Sequence, residues 1–215
     1  MSEGNAERID AYLVAGGRYH DIDFARLELL KLLGEHPHVR TQVAADYHDV
    51  EAIASSKFLI TYTCDLRPTP SQQEALHDFV ANGGKWLALH GTNSILEFTP
   101  DGVAAPRLME RMANTPGSQF IAHPPIQLYK VDCVAPDHPL VSGFEPFETD
   151  DELYLQEYHE RELLEPLLET SFSGSADGFT ESEWTKADKH LVSYLRPLGQ
   201  GAVLYNTLGH CRGHW

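Results

Sequence analysis

Apolar positions in the first half of the chain alternate between two periods. Ala11-Tyr12-Leu13-Val14-Ala15 is a short continuous apolar run that breaks at Gly16-Gly17, as expected of a strand buried on both faces. Over residues 22–33, Ile22, Ala25, Leu29 and Leu33 fall on one helical face and Gly34 supplies a C-terminal stop. Val39–Ala44 predicts a weaker second strand, and Phe58–Cys64, rich in β-branched and aromatic residues, a third. Thr69-Pro70-Ser71-Gln72 has the order of a helix N-terminus: Thr as cap, Pro at the first helical position, Gln three residues after the cap. That helix buries Leu76, Phe79 and Val80 and stops at Asn82-Gly83-Gly84. Lys85-Trp86-Leu87-Ala88-Leu89-His90 then predicts a fourth strand, with His90 as its last residue and Gly91-Thr92-Asn93-Ser94 beyond it.

Four strands separated by helices imply a parallel sheet with right-handed crossovers. The second half differs. It offers strands at 126–134 and 153–159, and a hairpin-like pair over 190–206 around Pro197-Leu198-Gly199-Gln200-Gly201. Segments 98–118 and 171–188, rich in Pro, Gly, Ser and Asp, read as long structured loops, which usually carry function. The expected architecture is α/β: a mostly parallel sheet flanked by helices on both faces, with added antiparallel strands in the second half. Residues 1–215 are expected to form one domain.

Charge narrows the possible partners. With 32 acidic and 16 basic residues the net charge is −16, and no basic run offers a phosphate backbone a footing, so nucleic acid is not expected. Apolar runs stay under ten residues, too short to span a membrane, and the start lacks the apolar core of a secretory signal. Cys64, Cys133 and Cys211 show no C-x-x-C spacing, which points to a reducing, cytoplasmic setting.

Twelve histidines are many for 215 residues, and their placement is more informative than their number. In an open α/β sheet, ligands collect beyond the carboxyl ends of the strands. His20 follows the first strand and precedes Asp21, while His90 closes the fourth, so both belong to one sheet edge. The competing reading of His90 is a packed histidine at a strand end. His123 precedes Pro124, His138 precedes Pro139, and His210 follows the last apolar run. Such histidines suit general acid–base work or, with a carboxylate, a divalent metal. Glu152, in Thr149-Asp150-Asp151-Glu152-Leu153-Tyr154, is the best carboxylate, against the plainer reading of a solvated acidic loop. No H-E-x-x-H is present, and Gly213 weakens the pairing of His210 with His214. No G-x-S-x-G elbow exists. Cys64 reads as an inert buried thiol, and hydrolysis through it would need a histidine within about 4 Å of its sulfur. Gly16-Gly17-Arg18 is too short for a dinucleotide fingerprint, so no nucleotide cofactor is expected.

Five pieces in order resemble the ThuA-like (trehalose-utilisation protein) family. They are Gly17-Arg18-Tyr19-His20-Asp21; Gly83-Gly84 to His90-Gly91; Asp137-His138-Pro139-Leu140 with Gly143-Phe144; Asp151-Glu152-Leu153-Tyr154; and the run from Leu198 through Tyr205 to Leu208-Gly209-His210. The resemblance implies a flavodoxin-like fold of the glutamine-amidotransferase-like superfamily, with histidine at His90 where true amidotransferases place a cysteine. Glutaminase chemistry is therefore not expected. The family is linked to metabolism of trehalose and other glycosides, partly through keto-sugars. Relatives continue into a further C-terminal helix, so the end at Trp215 implies a trimmed chain or a missing wall of the site.

The first expectation is a carbohydrate-processing enzyme acting on a sugar or keto-sugar glycoside. His90, His20 and Glu152 are its candidate catalytic residues. One divalent metal (Zn, Mn, Fe or Ni) is a candidate cofactor, with His20, His90, Glu152 and His210 as ligands. Asp21, Gly91, Thr92, Tyr154, His123 and His210 are candidate substrate contacts, and Tyr19, Phe98, Tyr154 and Trp184 candidate aromatic platforms. A glycosidase pair of Asp151 and Glu152 is disfavoured, because neighbours on a strand face opposite ways. The partner is a small carbohydrate, with a homo-oligomer also in view. The second expectation is a non-catalytic binding or regulatory domain on an amidotransferase-like scaffold. Convergence of His20, His90, Glu152 and His210 favours the enzyme; scattered histidines favour the binding module.

Overall fold

Parallel strands whose carboxyl ends share one edge make the frame. In the computed structural model, which describes residues 7–210 and 212, the order is β1 (Ile9–Gly17), α1 (Ile22–Gly34), β2 (Val39–Ala44), α2 (Val50–Ser55), β3 (Phe58–Cys64), α3 (Pro70–Ala81) and β4 (Lys85–Leu89). There follow β5 (Glu97–Thr99), β6 (Gly102–Ala104), α4 (Glu110–Asn114), β7 (Ser118–Ala122), β8 (Gln127–Cys133), β9 (Phe147–Asp151) and β10 (Leu155–Tyr158). The chain closes with β11 (Glu165–Ser175), β12 (Glu183–Leu198) and β13 (Gly201–Asn206). The main sheet has the order β2-β1-β3-β4-β13-β12-β11-β8-β9. Strands β2, β1, β3, β4 and β13 run parallel, and the remaining pairings are antiparallel.

Helices cover both faces, as the sequence predicts. Ala25, Leu29 and Leu33 of α1 pack against Leu13, Ala15, Ile60 and Tyr62 on one face. Ile53 of α2, Leu76, Phe79 and Val80 of α3, and Met112 of α4 pack against Tyr12, Leu59, Trp86 and Val203 on the other. The predicted capping box on α3 is formed: Gln72 N donates to Thr69 Oγ1 (3.3 Å) and Thr69 N to Gln72 Oε1 (2.8 Å). Phe120, Leu153, Tyr154, Leu155, Leu167 and Val192 build a further apolar cluster beneath the antiparallel half.

Several expectations need correction. β4 stops at Leu89, and His90 opens a 3-10 turn through Asn93; its φ of 46° takes it out of the extended region. Segment 171–188 is largely strand, the outer arm of the β11–β12 hairpin. Its residues are mostly exposed, so it lacks the apolar alternation that marks a half-buried strand. Segment 98–118 holds β6, α4 and the end of β5. Helix α2 buries only Ile53, too little for its period to show. Asp150 and Asp151 end β9 rather than open a strand, and the 153–159 strand shrinks to β10.

Candidate active site

Strands β1, β3 and β4 deliver three left-handed, non-glycine residues to the same edge: Tyr19 (φ 70°), Asp65 (φ 51°) and His90 (φ 46°). Each such conformation costs on the order of 1–3 kcal/mol, and such residues gather where geometry serves function. After His90 only glycine fits, because a Cβ on Gly91 would lie 2.6 Å from the Thr63 carbonyl oxygen and 2.8 Å from Cys64 Cβ. The turn is thus pressed onto the end of β3, and the His90 ring points into the edge.

That ring is fully buried, at 0% exposure. Its Nδ1 lies 2.6 Å from the Thr207 carbonyl oxygen. A carbonyl can only accept, so Nδ1 carries a proton and Nε2 is the ring nitrogen left to face the cluster. Nε2 stands 2.9 Å from His20 Nε2, 3.1 Å from the Tyr154 hydroxyl and 3.5 Å from Glu152 Oε2. His20 is held the same way, its Nδ1 facing the Arg18 carbonyl oxygen at 3.3 Å. Burial, reinforced by the fields of His90 and His210, drives the His20 pKa down to about 3 against the pull of Glu152.

Glu152 binds the cluster together. Its Oε2 lies 3.1 Å from His210 Nδ1, and its Oε1 lies 3.2 Å from His123 Nε2. Burial alone would raise this carboxyl. Hydrogen bonds with His210 and His90, and the fields of His123 and His90, outweigh it and hold Glu152 far below the usual carboxylate range. The reverse holds for His210: burial lowers it, but Glu152 and then Asp151 raise it above its ordinary value. The donor atoms of His20, His90, Glu152 and His210 all lie within 4.8 Å of one another. Three imidazoles and one carboxylate are a donor set for a zinc, manganese, iron or nickel ion.

Asp151 positions two of these groups. Fully buried, it accepts hydrogen bonds from the backbone N–H groups of Glu152 (2.7 Å), Gly209 (2.7 Å) and His210 (3.2 Å). It is a structural clamp, and the glycosidase pairing with Glu152 has no geometric basis. The Tyr205 hydroxyl sits between the His90 carbonyl oxygen and Asn93 Oδ1, fixing the turn from below. Tyr62 donates to the Gly209 carbonyl oxygen at 2.7 Å.

Above the cluster opens a cavity of about 210 Å³. His20, His123, Glu152 and His210 form its polar floor; Phe98, Phe120, Phe179 and Val103 are among its walls, and Tyr19 contributes as well.

A model of the family described as trehalose utilisation, ThuA, matches residues 12–215. The chain belongs to the ThuA family. Solved structures agree on the fold. A Bacteroides uniformis protein described as ThuA-like superposes with a TM-score of 0.74 at 16% identity, over 100% of this chain and 87% of that one. A Parabacteroides merdae protein of the same description gives 0.61 at 13%, over 95% and 80%. A Thermoplasma acidophilum protein described as a GMP synthase subunit gives 0.53 at 10%, over 94% and 83%. No curated protein matches the chain by sequence. No helix among the described residues is long and apolar enough to cross a membrane.

In this ThuA protein the edge gathers His20, His90, Glu152, His210, His123 and Tyr154 from the sequence-predicted set, and leaves out three others. Asp21 caps α1 through Phe24 N (3.2 Å) and pairs with Arg212 at 2.5 Å. Gly91 serves packing. Thr92 is spent inside, bonded to Thr61 Oγ1 (2.9 Å) and the Leu89 carbonyl oxygen (2.8 Å). Among the aromatic candidates, Tyr19 and Phe98 are exposed at the cavity and Tyr154 is buried at its floor. Trp184 instead packs by His190 and donates to the Glu181 carbonyl oxygen. Cys64 also lines the cavity, but burial, with Asp65 and Glu152 adding to it, pushes its thiol up to about 12. Among the described residues no hydrogen bond joins it to a histidine. Cys211, Gly213 and His214 lie outside the described residues. Sequence reasoning missed Phe120, Phe179 and Val103, whose only signal was membership of segments flagged as loops or their borders.

Proposed function

We propose that this ThuA protein is a carbohydrate-processing enzyme that holds one divalent cation at His20, His90, Glu152 and His210. The supporting observation is the approach of two imidazole Nε2 atoms to 2.9 Å while both Nδ1 atoms face backbone carbonyls. Two rings so held turn their Nε2 atoms toward each other beside a carboxylate, an arrangement that a cation would satisfy. When bound, such a cation supplies Lewis-acid polarisation of a substrate carbonyl or hydroxyl.

The chain's own residues do the rest. Glu152 fixes His210 and His90 by direct contact and faces His123 through its other oxygen. His123 Nδ1 is tied to the Pro124 carbonyl oxygen at 2.7 Å, so its Nε2, on the cavity floor, is the atom placed to exchange a proton with substrate. Burial, then the Glu152 charge, raises the Tyr154 hydroxyl well above its ordinary value, and it stays a neutral donor. Phe120 and Phe179 exclude water and offer faces to the C–H side of one sugar ring. The size of the cavity suits a single ring, a sugar or keto-sugar unit of a glycoside. We place this activity in the cytoplasm; the free thiols Cys64 and Cys133 support that.

Convergence of the four ligand candidates, rather than histidines scattered and paired to backbone, favours the enzyme over a binding module. The test is turnover of disaccharides and keto-sugar glycosides, followed by NMR, with chelator-treated and metal-restored protein. New sugar resonances only in the restored sample are expected. No turnover of any glycoside by metal-loaded protein would overturn the reading.

A further inference from the structure

A second polar hollow, about 370 Å³, opens on the α3–α4 side of the sheet and shares no lining residue with the histidine cavity. Its walls come from four parts of the fold: His77 on α3, Arg111 and Asn114 on α4, His159 and Glu160 after β10, and Arg196 on β12. In a chain with twice as many acids as bases, one carboxylate among the described residues, Glu160, lines it.

Arg196 is the informative residue. It is 4% exposed, and its Nη2 reaches Glu160 Oε2 at 2.8 Å, while its Nε and Nη1 make no hydrogen bond. His159 Nε2 is buried beside it, also without a hydrogen bond and 3.6 Å from Glu157 Oε1. Buried donors left unmade, here the Arg196 Nε and Nη1, cost about 1–3 kcal/mol each, more when charged, so their presence calls for a missing acceptor. Glu160 occupies one prong of the guanidinium from a left-handed backbone (φ 47°, ψ 54°), with its side chain 59% exposed. That carboxylate lies where an incoming oxyanion would put an oxygen.

We propose that this hollow is an anion site for a phosphate-type oxyanion, anchored by Arg196 and gated by Glu160 as an internal competitor. Arg196 approaches from β12 and His159 from the post-β10 turn, while Arg111 of α4 is already held by Glu74 through two 2.8 Å hydrogen bonds. The guanidinium fork of Arg196 matches two oxygens of a phosphate-type anion. The hollow exceeds what free phosphate fills, which leaves room for the organic part of a small phosphate monoester.

Calorimetric titration tests this on chelator-treated protein at constant ionic strength, with inorganic phosphate and glycerol 3-phosphate as probes. The site predicts saturable binding by wild type, roughly tenfold tighter binding by Glu160→Gln, where a like charge is removed, and loss of binding in Arg196→Gln. The gain in Glu160→Gln cannot arise from misfolding. His90→Ala should bind as wild type does. Binding of either probe at Arg196 supports the site, and the tighter probe identifies its source. Equal or absent binding in wild type and Glu160→Gln would overturn it, as would loss of binding in His90→Ala.

Discussion

His90 and His20 meet Nε2 to Nε2 at 2.9 Å across the edge of the sheet, each with its Nδ1 facing a backbone carbonyl. The two rings are separated by 70 positions in sequence. They meet because β1 and β4 run parallel and both end at this edge. Protonation of His20 does not relieve the contact at neutral pH, since that ring titrates near 3. On the proposed reading, a divalent cation would act as a folding ligand here. Metal-free protein should gain stability with Zn²⁺ or Mn²⁺, by about 2.7 kcal/mol at a hundred times the dissociation constant. Thermal unfolding should show this increment in wild type and lose it in His20→Ala.

Acid should weaken the metal-free protein in two stages. His20 has a folded pKa below its ordinary 6.5, so its contribution is fully present above pH 6.5 and is lost as pH falls toward 3. Glu152, also depressed from 4.5, adds a loss below that value. His210, raised by Glu152, acts oppositely: its contribution is present below 6.5 and lost as pH rises through its folded value. Urea midpoints measured between pH 7 and about 4 should fall less steeply in His20→Asn than in wild type.

Asp151→Asn should unfold more easily than wild type by about 2–4 kcal/mol, because an amide cannot accept from three backbone N–H groups without turning a donor toward one. Cation affinity should fall with it, since Glu152 and His210 both hang from this clamp. Denaturant titration and calorimetry on one preparation check both.

Cys64 should resist alkylation. With its thiol pushed up to about 12 and 2% of the residue exposed, iodoacetamide at pH 8 should leave it unmodified in the folded protein and label it in urea. Mass spectrometry of the peptide decides.

Much of this architecture was legible in the chain. Strands β1, β3 and β4 are continuous apolar runs, and the α3 start carries its cap residues in order, so period and punctuation agree. The shared edge for His20 and His90 followed from parallel topology alone. The partnership of Glu152 with His123 and His210 did not, because it joins segments after β7, β9 and β13 through antiparallel pairings that no local pattern encodes. Asp151 reads in sequence as a member of an acidic loop; only the fold shows three backbone donors around it. Phe179 reaches the cavity from the turn of the β11–β12 hairpin, where mostly exposed strands hide the period.

Elemental analysis of the untagged protein beside His90→Ala tests the central claim most directly. The His20–His90–Glu152–His210 centre predicts near-stoichiometric divalent metal in wild type and its loss in the variant. Metal-free wild type that also takes up none on dialysis against Zn²⁺, Mn²⁺, Fe²⁺ or Ni²⁺ would contradict it.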